Sequence, residues 1–328
     1  MSSVPLPDAA PANWVDRHAP PALRPWLKLG RFDRPTGIWL LMLPGWQGIA
    51  LADAIQRRWP DPALLALFFL GATLMRSAGC AYNDIVDRDL DAKVARTAGR
   101  PVASGQIGAG AAWAFVVVCS LASLGILLCL NGWSVVLGIA SLALVAAYPF
   151  MKRITWWPQA WLGLTFNWGA LLGFAAASKP SWFEGQTVVH LSGLPVALSF
   201  FATAWLPALL LYAGGVFWTL GYDTIYAVQD LEDDALAGVK SSARRLGASA
   251  PRAVAIFYAI SLALVLAAGR GGGLGWASLP LLALAGAQLA WQARRLKLDD
   301  PAGALRLFRS NTLTGFLVFA AMAAGAWR

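Results

Sequence analysis

The chain has 328 residues, of which 58% are hydrophobic and only 13% are charged, and its net charge is +9. This apolar fraction is well above that of soluble domains, so the chain is predicted to be an all-α integral membrane protein. The positive charge could suggest a nucleic-acid-binding protein, but in a chain built mainly of membrane spans it must first be tested as a signal of topology.

The first 28 residues are rich in proline and lack the apolar core of a signal peptide. They contain aspartate, which transit peptides largely avoid. We therefore expect 1–35 to be a cytoplasmic N-terminal segment and the first span to direct membrane insertion. The absence of a transit peptide predicts a bacterial inner membrane, with an organellar inner membrane as the alternative.

Apolar runs long enough to cross a bilayer predict about nine transmembrane helices within one domain, 36–328. The predicted spans are 36–55, 62–84, 107–130, 133–150, 157–178, 205–228, 252–269, 274–292 and 311–327. The stretch 187–203 contains Pro195 and Gly193, and we interpret it as an interfacial or re-entrant piece. A tenth span is the alternative there.

Lysine and arginine are distributed unevenly between the two sides of these spans. Twenty of the 26 fall on the side of the N-terminus, five fall on the other side, and Arg76 lies inside a span. This bias predicts a cytoplasmic N-terminus. The positive charge thus indicates topology and contact with anionic lipid or substrate, and no nucleic-acid partner is expected.

Nine of the 17 acidic residues fall in two short windows, each at the cytoplasmic end of a predicted span. The first acidic patch, "NDIVDRDLD", covers 83–91. The second acidic patch, "YDTIYAVQDLEDD", covers 222–234. Either patch alone could be a solvated rim of salt bridges, so the spacing within the patches has to decide between the two interpretations.

That spacing is helical in both patches. Asn83, Asp87 and Asp91 are four residues apart and therefore share one helix face. The same spacing recurs 143 residues later at Tyr226, Asp230 and Asp234. Each patch also has one deeper carboxylate, Asp84 and Asp223 respectively.

Carboxylates close to the membrane interior are costly and often functional. Several on one helix face repel one another unless a cation lies among them. Hard oxygen ligands at this spacing suit magnesium, particularly when phosphate oxygens and water complete the coordination. Two facing patches would hold two magnesium ions, and these would bind a diphosphate.

Basic residues near the patches fit the same chemistry. We favour contact with an anion for the cations that lie close to polar and aromatic residues at span ends. These are Arg100, Lys152, Arg153 and Lys240. The alternative is that a cation only reaches the membrane interface with its side chain and serves to fix the topology. We prefer this interpretation for Arg244 and Arg245.

Both patches resemble the two aspartate motifs of the UbiA superfamily of intramembrane prenyltransferases. "RPTG" at 34–37 and "YPFMKRITWWPQ" at 148–159 are similar to segments of its branch that acts on 4-hydroxybenzoate. The resemblance runs from about residue 25 to residue 327. It implies a helix bundle around a central cavity, capped by the two aspartate loops and open sideways to lipid.

The resemblance also implies ligand sites. Asn83, Asp87 and Asp91 would hold one magnesium ion, and Asp230 and Asp234 would hold the other. The cations expected to bind diphosphate are Arg100, Lys152 and Lys240.

The implied reaction transfers a polyprenyl group from its diphosphate to 4-hydroxybenzoate, ortho to the hydroxyl, in an early step of ubiquinone biosynthesis. Asp84 or Asp223 would draw the phenolic proton, so both are catalytic candidates. Around the acceptor we expect Arg34, Arg153, Tyr148 and Tyr226, with Arg76 as a further candidate for its carboxylate.

Other functions remain open from the sequence. The same chemistry could act on dihydroxynaphthoate, homogentisate, a porphyrin or a phosphate acceptor. A CDP-alcohol phosphotransferase would need a glycine that "DLDAKVAR" lacks. A cation-coupled transporter would place its acidic residues nearer the membrane midplane. The sequence determines neither the prenyl chain length nor the oligomeric state.

Overall fold

The computed structural model describes residues 13–93, 97–178, 196–231 and 238–327. Within these ranges the regular structure is entirely helical. In chain order the α-helices α1 to α13 are Trp14–His18, Arg24–Leu29, Thr36–Ile55, Pro62–Val86, Arg88–Asp91, Ala109–Leu128, Gly132–Ile154, Pro158–Ala177, Val196–Ala227, Ser242–Leu246, Ala250–Gly271, Ser278–Arg295 and Pro301–Ala324.

In the described part of the chain, eight helical segments are long and apolar enough to cross a membrane. They correspond to all the predicted spans except the eighth, 274–292. That position is occupied by α12, which is helical but less apolar because it carries glutamines and ends in Arg294 and Arg295. The all-α membrane bundle is therefore confirmed, whereas the count of nine spans is not.

Two helix boundaries differ from the prediction. The stretch 187–203 is helical from Val196 onward and runs directly into the sixth predicted span, while 187–195 lies outside the described residues. The last helix begins at Pro301, ten residues before the predicted span, because the Asp300 side chain accepts a hydrogen bond from the Gly303 amide and caps it. This earlier start adds nearly three turns of helix, from which Leu305, Phe308 and Arg309 reach the larger cavity described below.

The centre of the bundle is formed by α3, α8 and α9, whereas α6 and α7 expose most of their surface. Helices α3 and α8 cross at backbone contact. A Cβ added at Gly48 would lie 2.1 Å from the Ala170 carbonyl oxygen, and one at Gly173 would lie 2.2 Å from the Gly45 carbonyl oxygen. Glycine is therefore required at these crossing points, as is common where membrane helices pack closely.

A buried hydrogen-bond network joins four helices behind the site. Trp218 Nε1 of α9 donates to Asn311 Oδ1 of α13 over 2.8 Å. Asn311 Nδ2 donates to Gln292 Oε1 of α12 over 2.9 Å, and the Tyr258 hydroxyl of α11 donates to the same oxygen over 2.7 Å. The network explains why α12 keeps a polar residue in its buried face.

We expect Asn311→Ala to lower the free energy of unfolding by about 1–3 kcal/mol, because it leaves the buried Trp218 N–H without its acceptor. Thermal unfolding of the purified protein in detergent measures this loss. The matched control is Ser310→Ala, since the Ser310 hydroxyl donates to the Leu307 carbonyl of its own helix and stands outside this network. A melting temperature unchanged in the Asn311 variant would contradict a supporting role for the network.

Candidate active site

The first acidic patch lies where the helix axis changes. Helix α4 ends at Val86, Asp87 is its C-cap, and the short α5 follows. The helical hydrogen bonds nevertheless continue across this point, from the Asp87 amide to the Asn83 carbonyl (2.9 Å) and from the Asp91 amide to the Asp87 carbonyl (2.8 Å). Asn83, Asp87 and Asp91 therefore keep the one-turn spacing that the sequence predicts.

Asp87 is completely buried and paired with two cations from the end of α7. The Lys152 ammonium contacts one of its oxygens, and Arg153 Nη2 lies 3.1 Å from the other. The segment 148–159, which the sequence places far from the patch, thus supplies its counter-ions.

Asp84 and Asp91 share a second group of cations. Arg31 Nη2 lies 2.6 Å from Asp84 Oδ1, and Arg100 Nη1 lies 2.7 Å from Asp91 Oδ2 and 3.3 Å from Asp84 Oδ1. The other oxygen of Asp84, Oδ2, is buried and has no hydrogen-bond partner. Burial raises the pKa of the Asp91 carboxyl, and the neighbouring Arg100 charge acts in the opposite direction.

Arg31 was missed by the sequence analysis. It belongs to the predicted N-terminal segment, whose described part forms α1, α2 and a turn packed against α4. The backbone of Arg31 has a φ of 63°, which is uncommon for a residue with a side chain. Its proximity to Arg34 in "RFDRPTG" was the available signal, because a second arginine beside that motif suggests a further anion or carboxylate contact.

The second acidic patch begins in α9 and continues into a short 3₁₀ turn, Val228–Asp230. Asp223 and Tyr226 lie in the helix, and Asp230 lies in the turn. Asp234 lies outside the described residues, so its predicted role as a magnesium ligand stays a prediction.

The two patches meet at one polar cavity of about 220 Å³. The predicted site residues that line it are Asn83, Asp91, Arg100, Tyr148, Lys152, Asp223, Tyr226, Asp230 and Lys240. Residues that are 143 positions apart in sequence are thus brought to the same end of the bundle. We call this space the polar cavity.

A larger cavity of about 570 Å³ continues from the polar cavity into the bundle. It is lined mainly by apolar side chains of α3, α4, α6, α7 and α8, and we call it the apolar cavity. Asn83, Arg100, Tyr148, Asp223 and Tyr226 line both cavities, which places them at the junction.

The remaining predicted residues lie in different surroundings. Arg34 lines the apolar cavity and is paired with Asp33 over 3.0 Å. Arg153, with a half-exposed side chain, lines neither cavity, and neither do Asp84 and Asp87. Among the described residues, no three acidic, histidine or cysteine side chains converge on a single metal position.

The chain is similar to known proteins in both sequence and fold. The profile of the UbiA prenyltransferase family matches residues 41–320. The chain is 43% identical over 314 residues to the mitochondrial 4-hydroxybenzoate polyprenyltransferase of Arabidopsis thaliana, covering 96% of this chain and 72% of that protein. It is also 43% identical over 311 residues to the Bos taurus protein of the same name, covering 95% and 78%.

Solved structures show the same fold. A UbiA homologue from Aeropyrum pernix K1 superposes with a TM-score of 0.67 at 28% identity, covering 86% of this chain and 96% of that one. A UbiA homologue from Archaeoglobus fulgidus bound to GPP and Mg²⁺ superposes with a TM-score of 0.62 at 18% identity, covering 91% and 99%. At this low identity the second likeness concerns the fold alone.

The predicted bacterial inner membrane is contradicted by the relatives, which are mitochondrial proteins of eukaryotes. The prediction was wrong because it relied on the composition of the first 28 residues. That composition does not determine the membrane in which the spans reside. A multi-pass membrane protein is supported by the helices themselves.

The family resemblance inferred from the aspartate motifs is confirmed. The profile match includes both acidic patches and most of the helices that line the two cavities. The sequence relatives extend this match to nearly the whole chain. The chain belongs to the UbiA prenyltransferase family.

Proposed function

We propose that the protein transfers a polyprenyl group from polyprenyl diphosphate to 4-hydroxybenzoate, at the ring carbon ortho to the hydroxyl, releasing diphosphate in an early step of ubiquinone biosynthesis. The observation that carries this proposal is the joined pair of cavities. A polar cavity rimmed by carboxylates and cations opens into a larger apolar one. The names of the relatives support the choice of acceptor.

The carboxylates of the patches fit a magnesium site. Their oxygens are the hard ligands that magnesium prefers, and Asp84 Oδ2 is a buried oxygen without a hydrogen-bond partner. We propose that Asn83, Asp87 and Asp91 hold one ion and that Asp230 and Asp234 hold the other. When bound, the ions would neutralise the diphosphate and stabilise its charge as it leaves.

The cations that neutralise the first acidic patch could also bind the diphosphate. Lys152 and Arg153 neutralise Asp87, and Arg100 neutralises Asp91. Arg100, Lys152 and Lys240 line the polar cavity, so they would be available to bind diphosphate oxygens if the carboxylates held magnesium. Asp87 is buried and lines neither cavity, so Lys152 would have to move away from it before its carboxylate could hold an ion.

The allylic carbon of the donor lies at the junction of the cavities in this scheme. The carbon–oxygen bond breaks, diphosphate keeps the electron pair, and the allylic cation must be shielded from water. Tyr148 and Tyr226 line the junction. The Tyr226 ring packs 4.6 Å from that of Phe308, so aromatic faces are available to stabilise the cation.

The π electrons of the acceptor ring then form the new carbon–carbon bond, and the ortho proton passes to the released diphosphate, which restores the aromatic ring. Removal of the phenolic proton raises the electron density of the ring and so favours its attack on the allylic cation. The two candidate bases for this proton differ in position. Asp223 lines both cavities, whereas Asp84 lines neither and is held by Arg31 and Arg100. We therefore assign the proton to Asp223 and give Asp84 the role of positioning these two arginines.

Prenyl transfer by the purified protein in detergent tests the proposal. Geranyl diphosphate is offered with 4-hydroxybenzoate, dihydroxynaphthoate or homogentisate, with magnesium or with EDTA. We expect product from 4-hydroxybenzoate only, and its complete loss in EDTA. Product from another acceptor would refute 4-hydroxybenzoate as the specific acceptor. The absence of any product from folded protein would refute the transfer reaction.

A further inference from the structure

We infer that Gln159 donates a hydrogen bond from its side-chain amide to the diphosphate of the prenyl donor, beside the first turn of α8. The inference rests on the proposed function, because it names a further contact for the same diphosphate. Gln159 is the last residue of the segment 148–159 and the second residue of α8, and it lines the polar cavity.

The orientation of the Gln159 amide is fixed by a buried hydrogen bond. The Ser242 backbone N–H donates to Gln159 Oε1 over 3.0 Å. A backbone N–H can only donate, so the oxygen of the amide must face it. Gln159 Nε2 therefore points away from this contact, and it donates to no described residue. Since the side chain is only 5% exposed, its two N–H donors are suited to an acceptor in the polar cavity that Gln159 lines.

The start of α8 favours an anion at the same place. The N–H groups in the first turn of a helix have no acceptor within the helix, and the partial positive charge there attracts anions. The N-cap residue is Trp157, whose indole has a donor but no acceptor for these N–H groups. Pro158 and Gln159 of this first turn both line the polar cavity. The Gln159 amide and the helix start thus form one donor set for phosphate oxygens.

The cations of the polar cavity differ from Gln159 in this respect. Lys152 and Arg100 are paired with carboxylates of the first acidic patch. Lys240 Nζ donates to the Ile154 carbonyl over 3.2 Å. Each of these cations has a protein partner that competes with the diphosphate, whereas the Gln159 N–H donors have no such competitor among the described residues.

Gln159 also anchors the chain that follows the second acidic patch. Besides the bond to Gln159, the Ser242 hydroxyl lies 2.6 Å from the Thr224 hydroxyl. The Lys240 backbone N–H donates to the Lys152 carbonyl over 3.1 Å. An anchoring role through Gln159 Oε1 alone is therefore the alternative to direct contact through Nε2, and the test has to separate the two atoms.

Two substitutions separate them. Gln159→Glu keeps an oxygen for the Ser242 N–H and removes the N–H donors. Ser242→Pro does the reverse, since proline has no N–H. Ser242 is the first residue of α10, a position that proline favours. Ser241 before it has a φ of −147° and a ψ of 157°, an extended conformation of the kind that a following proline requires.

Isothermal titration calorimetry of the whole protein in detergent, with inorganic diphosphate and magnesium chloride, measures the contact. We expect Gln159→Glu to weaken diphosphate binding at least about tenfold, because a charge-assisted hydrogen bond is lost and a like charge takes its place. Ser242→Pro should bind diphosphate as the wild type does, because it keeps the amide donor. Equal losses in both variants, or a loss confined to Ser242→Pro, would overturn the inference in favour of the anchor.

A neutral variant serves if Ser242→Pro does not fold. Gln159→Met removes both the acceptor and the donors without adding charge, and it should weaken diphosphate binding about tenfold. An anchor alone predicts that Gln159→Glu binds diphosphate as the wild type does and that only Gln159→Met is weakened. That outcome would overturn the direct contact.

Prenyl-transfer kinetics separate this inference from the proposed reaction. Gln159→Met should raise KM for geranyl diphosphate and leave KM for 4-hydroxybenzoate unchanged. If the wild type forms no prenylated product, the proposed function fails while the titration with inorganic diphosphate still decides on Gln159. If the wild type binds no inorganic diphosphate, the inference is overturned whatever acceptor is prenylated.

Discussion

Replacing Asp87 by asparagine is expected to slow prenyl transfer by at least about 100-fold, in the range found when a ligand shell or a charge-stabilising group is removed. Asp87 is the central residue of the first acidic patch, one helical turn from both Asn83 and Asp91. The amide keeps the shape and one oxygen but removes the negative charge that both magnesium and the cations of α7 require. Initial rates at increasing magnesium concentration measure the effect, which should include weaker apparent magnesium affinity.

The fold should tolerate this change. The side chains of Lys152 and Arg153 are 26% and 51% exposed. They can therefore be hydrated when Asp87 is lost, and the cost should remain below the about 3–5 kcal/mol of a broken, fully buried ion pair. Asp89→Asn is the matched control, since Asp89 is 86% exposed and, among the described residues, is paired only with Arg88. Equal activity of the two variants would contradict the role of Asp87.

Filling the apolar cavity at Gly79 is expected to slow prenyl transfer about as much as the Asp87 substitution does. Gly79 lies one helical turn before Asn83 and lines the cavity, and an added Cβ would meet no atom within 4 Å. Leucine at this position would extend into the space where donor and acceptor meet. Because small displacements of reacting groups are costly, Gly79→Leu should lower kcat/KM about 100-fold with geranyl diphosphate and 4-hydroxybenzoate.

Stability should not fall in this variant, since leucine is favoured over glycine in a helix by up to about 1 kcal/mol. The control is Gly125→Leu, an equally open glycine that lines neither cavity and lies on the exposed side of α6. We expect the control to retain wild-type rates. A fully active Gly79→Leu enzyme would show that the substrates do not meet beside α4.

A second glycine-to-leucine substitution tests how deep into the apolar cavity the prenyl tail extends. Gly71 also lines the apolar cavity, eight residues before Gly79 and therefore about 12 Å deeper along α4. An added Cβ there would make ordinary contacts, at 3.9 Å to Ile126 and 4.0 Å to Ser123. Gly71→Leu should therefore slow long prenyl donors more than geranyl diphosphate. Rates measured across a series of donor lengths would show whether the tail follows α4.

Much of this architecture could be predicted from local sequence. Apolar runs identify membrane helices because a bilayer requires about 20 such residues. The one-turn spacing of Asn83, Asp87 and Asp91 depends on hydrogen bonds between near neighbours, so it survives even the break between α4 and α5. The chemical character of the two patches follows from their composition in the same way.

Other features required the packed bundle. Asp84 is held by Arg31, 53 residues away, and Asp87 by Lys152 and Arg153, 65 and 66 residues away. No periodicity encodes such pairs, because they depend on which helices pack side by side. For the same reason the sequence could not show that Arg34 already has a partner or that Arg153 lies outside both cavities.

By itself, the sequence determined the helical membrane class, the two acidic patches and the family, since each depends on residue type and short-range spacing. The tertiary structure decided which cation faces which carboxylate, where the two cavities join, and that α12 combines a polar buried face with the position of a predicted span. These features depend on how helices approach one another, as at the glycine crossing of α3 and α8. They are properties of the packed bundle rather than of any single segment.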